Sequence, residues 1–547
     1  MLFILILIPL LTAFLIAVAP REQARLVATI GSFIALGATL VAALPANFDW
    51  SRPGAYHMTD TVALVPELGI SLSVGVDSVA MLLIILTAFL GPLCVLGSFT
   101  AINEKLRTYY AWLLILQAAM VGVFAARDLI FFYICFEFTL LPMYILISLY
   151  GSTNRKKAAT KFFLYTFTGS IIALAGLVYT AWWNTTLATT LFDGAGTWTF
   201  DIATLALAAQ QMSLTQQGWV LFAMLLGFAV KVPLFPVHTW LPLAHTEAPT
   251  AGSVILAGVL LKLGTYAIYR FVLGFVPDAV IEYAPVIAVL AIIGIVYAGL
   301  ICWVQRDVKK LVAYSSVSHL GFCVLGLFAL NEIGLSGSVL YMINHGLSTG
   351  ALFFLIGMMY ERYHTRSMDE IGGLARRMPI WSFFMGFFVM ASVGLPGLNG
   401  FVSEFMCLLG TFQSGADGVG GTPGRLGPWF AFVAGTGMII AAIYLLYMVG
   451  KVVFGPLKEP AGHHKHETLP HDLTYREVGI LVPLAAACVF LGLWPTPVLN
   501  VIAPANQQLL AIYEQRLESW DALHHTELAD AITVDAVIVV SGEEVTP

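Results

Sequence analysis

The chain has 547 residues, of which 59% are hydrophobic and only 11% are charged. Soluble domains carry about a quarter charged residues, so a set of aqueous domains is excluded. A mean hydropathy of +0.86 indicates that most of the apolar surface faces lipid. The net charge of −6 is concentrated in residues 501–547, which hold eight acids and one arginine. The rest of the chain offers no basic surface of the kind that binds nucleic acid, so no nucleic-acid partner is expected.

Runs of about 20 apolar residues predict an all-α, polytopic membrane protein with about fourteen transmembrane helices. The predicted spans cover residues 1–19, 26–44, 78–98, 109–126, 128–149, 160–182, 217–238, 248–271, 283–303, 309–329, 333–360, 378–411, 428–453 and 477–500. The segment between the second and third spans is expected to be an external loop. Its acidic residues Glu67 and Asp77 are expected to be solvated or to pair between helices.

The distribution of Lys and Arg between these spans predicts the orientation, because basic residues remain preferentially in the cytoplasm. With the N-terminus outside, 19 of the 26 basic residues fall in cytoplasmic connections and five fall outside. The cytoplasmic set includes the Arg155-Lys156-Lys157 cluster. Both termini are therefore predicted to lie outside.

Two blocks of five helices, 109–271 and 283–453, each have an interrupted fourth helix. Proline or glycine in mid-span leaves backbone groups that need partners, and such breaks usually line a hydrated path. An odd number of helices per block makes the second an inverted repeat of the first, as in transporters. A simple proline kink is the alternative. The predicted remainder comprises N-terminal helices 1–108, a cytoplasmic His-rich loop with the last helix in 454–500, and an acidic external tail, 501–547.

Six ionisable residues fall inside the predicted spans or at their breaks, where an unpaired charge costs several kcal/mol. Glu137 lies about 14 Å along its helix, near the midplane. Histidine titrates near neutrality, and a movable carboxylate can switch a buried lysine between charged and neutral forms. The alternative for each residue is a satisfied polar contact between helices. The six candidates for proton transfer are Glu137, Lys231, Lys262, His319, His345 and Glu404.

Other polar residues are weaker candidates. His238 and His245, near the first break, either take up protons or cap exposed backbone. The cluster of His463, His464, His466 and His471 is expected to be a solvated loop, not a metal site. The six cysteines have no CxxC spacing and no histidine pair has haem spacing, so no redox cofactor is expected in this chain.

Five stretches of sequence carry a resemblance to a known family. They are FFYICFEFTLLPMYILISLYGSTNRKKAATKFFLYTFTGS at 131–170, FAVKVPLFPVHTWLPLAHTEAPTAGSVILAGVLLKLGTY at 228–266, YSSVSHLGFCVLG at 314–326, INHGLSTGALFFLIGMMYER at 343–362 and GLPGLNGFVSEF at 394–405. Together they resemble the antiporter-like membrane subunits of bacterial NADH-quinone oxidoreductase (complex I). The FEFTLLPMY context of Glu137, and a glutamate at position 404 where many relatives carry lysine, favour the M branch of the family.

The resemblance implies that Glu137, Lys231, Lys262, His319, His345 and Glu404 match the proton-path positions of the family. It implies a subunit of the bacterial inner membrane that translocates protons while FMN, iron-sulfur clusters and quinone bind to partner subunits. Its neighbours would be other membrane-arm subunits, especially the L and N antiporter-like subunits, and lipids. An antiporter subunit of an Mrp-type or hydrogenase-linked complex, or a membrane scaffold without pumping activity, are the alternatives.

Overall fold

The structure is a computed structural model that describes residues 1–52, 54–415, 424–460, 471–514, 516–517 and 520. His463, His464 and His466 and most of the acidic tail lie outside the described residues. The first half of the chain forms helices α1 (Leu2–Val18), α2 (Ala24–Ala42), α3 (Ser78–Gly97), α4 (Leu106–Ala125), α5 (Leu129–Phe138), α6 (Leu140–Tyr150), α7 (Arg155–Thr186), α8 (Ile202–Ala209), α9 (Leu214–Lys231) and α10 (Leu241–Glu247).

The second half continues with helices at similar spacing. They are α11 (Thr250–Ile255), α12 (Leu261–Ala267), α13 (Leu273–Phe275), α14 (Pro277–Val304), α15 (Val308–Leu327), α16 (Glu332–Tyr363), α17 (Pro379–Val393), α18 (Asn399–Gln413), α19 (Pro428–Val452) and α20 (Tyr475–Leu493). Two π-helical turns, Leu256–Leu260 and Ile268–Val272, join α11, α12 and α13 into one continuous rod. A last described helix covers residues 496–514.

The predicted membrane architecture is confirmed in its main features. Eleven helical stretches of the described chain are long and apolar enough to cross a membrane. Two shorter apolar helices, Leu2–Val18 and Pro379–Val393, lie in two further predicted spans. Each of the fourteen predicted spans therefore contains a helix, although an inverted-repeat relation between the two blocks remains a prediction.

One element departs from the all-α prediction. Residues 57–76, expected to be an external loop, form an antiparallel hairpin of strands β1 (His57–Val65) and β2 (Ile70–Val76). Gly69 turns the chain between the strands with φ of 63°, a conformation that suits glycine. The hairpin was missed because β1 reads as a weakly apolar stretch without a Gly or Asn pair to mark its turn.

The hairpin leads directly into a buried ion pair. Asp77 caps α3 by accepting a hydrogen bond from the Ala80 amide at 2.9 Å, and its second carboxylate oxygen pairs with Arg270. Arg270 also lies over the rings of Tyr56, Tyr266 and Tyr269. The hairpin end of the bundle is thus tied to the rod that carries Lys262, and Asp77 is interhelical, not solvated.

The last described helix fastens the same end of the bundle. Its Tyr513 hydroxyl donates to the carbonyl of Leu273 at 2.6 Å. Asn506 accepts from Tyr269 at 3.0 Å and donates to Ser336 at 3.0 Å. Since Tyr269 belongs to the first five-helix block and Ser336 to the second, this helix bridges the two blocks.

Two helices form the centre of the bundle. In the most apolar windows of the rod Thr250–Phe275 and of α16, 100% of residues are buried, against 33% for α20 at the edge. A side chain that is buried on every face of its helix cannot reach lipid or bulk water. The ionisable residues on these two helices are therefore confined to contacts inside the protein.

Both predicted breaks are present. Helix α9 ends at Lys231 and the chain continues without regular helix to α10, across Pro233 and Pro236. The second break separates α17 from α18 at residues 394–398. Gly394 adopts φ of 84°, and a Cβ there would lie 3.1 Å from the Glu404 carboxylate, so glycine allows that carboxylate to approach the backbone.

Candidate proton-transfer site

Lys262 and His345 form the first contact of the site. Lys262 Nζ lies 2.7 Å from His345 Nδ1 and also donates to the carbonyl of Ala257. Lys262 is 0% exposed and His345 is 2% exposed. Ala257 belongs to the π-helical turn before α12, a distortion that is frequent at functional sites. Because the imidazole nitrogen can accept, a proton on the lysine has a hydrogen-bonded acceptor on a different helix.

His319, Glu404 and Tyr341 form the second group. His319 Nδ1 lies 2.9 Å from Glu404 Oε1 and 2.8 Å from the Tyr341 hydroxyl. The Tyr341 hydroxyl also donates to the same Glu404 oxygen. On the other side of the ring, His319 Nε2 lies 3.4 Å from the Tyr444 hydroxyl. These side chains come from α15, α18, α16 and α19, so the group exists only when four helices pack together.

The two groups adjoin each other. The rings of His319 and His345 have centroids 6.1 Å apart. Both rings line a cavity of about 10 Å³, together with Tyr341, Ser392 and Glu404. This is about the room that one water molecule needs. His345 Nε2 is buried and lacks a hydrogen-bond partner among the described groups. The four titratable residues Lys262, His345, His319 and Glu404 therefore follow one another as a row, which we call the central row.

Lys231 and Glu137 are placed differently from the sequence-based expectation. Lys231 Nζ donates to Thr139 Oγ1 at 3.2 Å and lies 4.3 Å from the centre of the Phe136 ring. Phe136 and Thr139 are three residues apart and share one helix face, whereas Glu137 points away from that face. Among the described residues, no ion pair joins Glu137 to Lys231, and Glu137 Oε1 is buried without a hydrogen-bond partner. A direct switch between the two would need Glu137 to move.

The histidines near the first break are buried. His238 is 4% exposed and packs against the rings of Phe235 and Tyr297. His245 is 0% exposed and stacks on Phe353 with centroids 4.6 Å apart. Both nitrogens of His245 lack partners among the described groups, so it does not cap exposed backbone through its ring. His238 Nδ1 is likewise without a partner.

Sequence reasoning missed several polar residues of the site. Tyr341 lies one helical turn before His345 on α16, and this spacing was a usable signal. Tyr444 lies on α19, and nothing local in the sequence connects it to His319. Lys309 was assigned to a solvated cluster, but it is only 7% exposed and donates to the carbonyl of Ala248 at 2.6 Å. It lines an open cavity of about 740 Å³ at the end of the bundle opposite the hairpin.

The donor set for metals and clusters is sparse. The cysteines are free and lie on six different helices; they are Cys94, Cys135, Cys302, Cys323, Cys407 and Cys488. Within the described part of the chain, no three His, Cys, Asp or Glu side chains lie together to hold a metal ion. The polar chemistry of this chain therefore resides in amine, imidazole, phenol and carboxyl groups, which are the groups that accept and release protons.

A bundle of membrane-spanning helices, two of them broken beside titratable side chains, defines an antiporter-like membrane protein. The family described as NADH:quinone oxidoreductase/Mrp antiporter, TM, matches residues 126–419. The chain belongs to this family, and it is an antiporter-like membrane-arm subunit of the complex I type.

Similar proteins support the M branch predicted from the motifs. NADH-quinone oxidoreductase subunit M of Rhodobacter capsulatus is 38% identical over 533 residues, covering 94% of this chain and 98% of that protein. NADH-ubiquinone oxidoreductase chain 4 of Marchantia polymorpha is 38% identical over 496 residues, covering 90% of this chain and 93% of the relative.

Solved structures show the same fold. A chain of respiratory complex I from Thermus thermophilus with bound NADH has a TM-score of 0.81 at 27% identity, covering 94% of this chain and 100% of that one. A chain of the Mrp complex from Dietzia sp. DQ12-45-1b has a TM-score of 0.78 at 22% identity, covering 94% and 98%. The second likeness concerns the fold alone.

Proposed function

We propose that this chain translocates protons across the bacterial inner membrane as the M-type subunit of a proton-translocating NADH-quinone oxidoreductase. Proton movement through the central row is coupled to quinone reduction in other subunits. FMN, the iron-sulfur clusters and quinone bind to those partner subunits. The scattered cysteines support this assignment, since an iron-sulfur cluster requires several thiolates at one place.

The observation that carries the proposal is the central row. Lys262, His345, His319 and Glu404 are at most 3% exposed, yet each contacts another member or adjoins it across a water-sized cavity. Burying four titratable groups costs free energy, and apolar residues of similar volume would pack the same space at lower cost. A row that links the first block to the second through ionisable groups is the arrangement that stepwise proton transfer requires.

The proposed path has an uptake end and a release end. The open cavity beside Lys309 provides access from the end of the bundle that is rich in basic residues, which the charge distribution places in the cytoplasm. His238 and His245 lie near this end, and Lys231 with Glu137 forms a second titratable group in the first block. Glu404 follows the second break and serves as the release site toward the outside.

The surroundings of the chain follow from the same proposal. The L and N antiporter-like subunits and lipids would cover its outer helices, where large apolar side chains such as Phe14, Trp219 and Trp429 are 65%, 71% and 78% exposed. Both termini lie outside. The helix pairs α7 with α9 and α16 with α18 pack closely, each joining the third helix of a block to its broken fourth, which supports the inverted repeat.

The test replaces Lys262 by methionine, which keeps the length of the side chain and removes its titratable amine. The complex is isolated intact and reconstituted in vesicles. Lys262→Met should assemble, lose proton translocation and lose coupled quinone reduction, while NADH oxidation by an artificial acceptor in the peripheral subunits continues. Lys451→Met, which alters an exposed lysine over Tyr447, is the control. Wild-type pumping by assembled Lys262→Met would leave a scaffold role as the better reading.

A further inference from the structure

We propose that Tyr341 is a positioning residue of the proton path, whose hydroxyl holds His319 and Glu404 together when the transferred proton has left them. The inference rests on the proposed function, because it assumes that a proton moves between these two residues. It assigns a task to a side chain that does not itself gain or lose the transferred proton.

The placement of Tyr341 is the first support. It lies on α16, is 3% exposed and stands one turn from His345, so it belongs to the core of the bundle. Its hydroxyl lies 2.8 Å from His319 Nδ1 and donates to Glu404 Oε1. Its ring meets the His319 ring edge to face at 89°, which fixes the hydroxyl beside both atoms. Among the described side chains, it is the one recorded donor that reaches both.

Counting protons shows why such a donor is needed. When the transferred proton is present, it lies between His319 Nδ1 and Glu404 Oε1, which are 2.9 Å apart, and one atom donates to the other. When the Nδ1–H bond breaks, the O–H bond of the carboxyl group forms, and Glu404 then passes this proton onward. The pair is left as a neutral imidazole with a bare Nδ1 and an ionised carboxylate.

In this empty state two acceptors face each other at hydrogen-bond distance with no proton between them. Two lone pairs at 2.9 Å repel, and a buried acceptor without a donor is unfavourable. The Tyr341 hydroxyl can donate to either atom by rotating about its C–O bond. It therefore satisfies the pair in the empty state and keeps the two residues within transfer distance for the next proton.

Phenylalanine at position 341 keeps the ring and removes only the hydroxyl. In the reconstituted complex we expect Tyr341→Phe to assemble and to pump about 5-fold to about 100-fold more slowly, the range for leaving one buried polar group unpaired. Tyr109→Phe is the matched control. Tyr109 is 0% exposed and its hydroxyl pairs with Ser98 at 2.9 Å, away from the central row. It should pump at the wild-type rate.

Two further variants separate positioning from packing. Tyr341→Gln restores a donor without the ring, and it should recover part of the rate that Tyr341→Phe loses. Glu404→Lys replaces one of the facing acceptors by a donor, so in that background Tyr341→Phe should cost little more. Wild-type pumping by Tyr341→Phe, no recovery by Tyr341→Gln, or an undiminished loss in the Glu404→Lys background would each overturn the inference.

These outcomes differ from a failure of the proposed function. If Lys262→Met pumps normally, the central row carries no protons and the proposed function itself is wrong. If Lys262→Met loses pumping while Tyr341→Phe matches Tyr109→Phe, only the positioning role is wrong. Should Tyr341→Phe fail to assemble, the comparison of Tyr341→Gln with wild type decides, because a donor at this position predicts assembly with partial pumping.

Discussion

Replacing Glu404 tests the release end of the central row. Its carboxylate is 1% exposed, lies 2.9 Å from His319 Nδ1 and accepts from the Tyr341 hydroxyl. Three substitutions separate its roles. Glutamine keeps the size and one acceptor oxygen but cannot titrate, alanine removes every polar atom, and lysine restores a titratable group of opposite charge.

The expected magnitudes follow from these contacts. Glu404→Gln should leave assembly intact and slow the proton-transfer step by about 10²-fold to 10⁴-fold, the usual contribution of a positioned acid or base. Glu404→Ala also leaves His319 and Tyr341 without the carboxylate, at about 1–3 kcal/mol for each buried group. We therefore expect it to lower both the amount of assembled complex and its pumping. Glu404→Lys should retain assembly and part of the pumping.

The assay compares proton uptake into vesicles with quinone reduction by the same preparation, after the amount of assembled complex has been measured for each variant. This normalisation separates the stability effect of alanine from the transfer effect of glutamine. Wild-type pumping by both Glu404→Gln and Glu404→Ala would refute the release role. Equal losses of assembly in both would instead show that the carboxylate is structural.

Two other predictions concern the first block and the orientation. Glu137→Gln and Lys231→Ala should each leave the complex assembled and strongly lower proton translocation and coupled quinone reduction, because a lysine at a helix break and a carboxylate near mid-span are costly to retain for packing alone. Normal turnover and a normal proton-to-electron ratio in an assembled double mutant would contradict this. A tag at the C-terminus should be accessible from outside, and one inserted near Lys156 only from the cytoplasm; protease protection checks both, and the reverse pattern would overturn the orientation.

Much of the fold could be predicted because lipid imposes a strong constraint on the sequence. A spanning helix needs about 20 apolar residues, and this requirement located all fourteen helical regions. The same constraint made the six buried ionisable candidates conspicuous, since charges are rare in such segments. The breaks were visible because proline and glycine interrupt an otherwise continuous apolar run.

The contacts between candidates could not be predicted in the same way. Which residue meets Lys262 depends on how α12 turns toward α16, and two π-helical turns alter that rotation without any marked sequence signal. The expectation that Glu137 acts on Lys231 failed to foresee that Thr139 and Phe136 occupy the contacting face. Tyr444 reaches His319 across 125 residues of sequence, a distance over which periodicity carries no information.

Helix α16 has a particular place in this arrangement. His345, which contacts Lys262, and Tyr341, which contacts His319 and Glu404, are four residues apart on it and share one face. Hydrogen bonds weaken steeply beyond about 3.2 Å, so a shift of α16 by about 1 Å would disturb both groups of the central row together. The row is therefore sensitive to the position of a single buried helix. Motion that reaches α16 from a neighbouring subunit would open or close proton transfer at both ends of the row without any redox group in this chain.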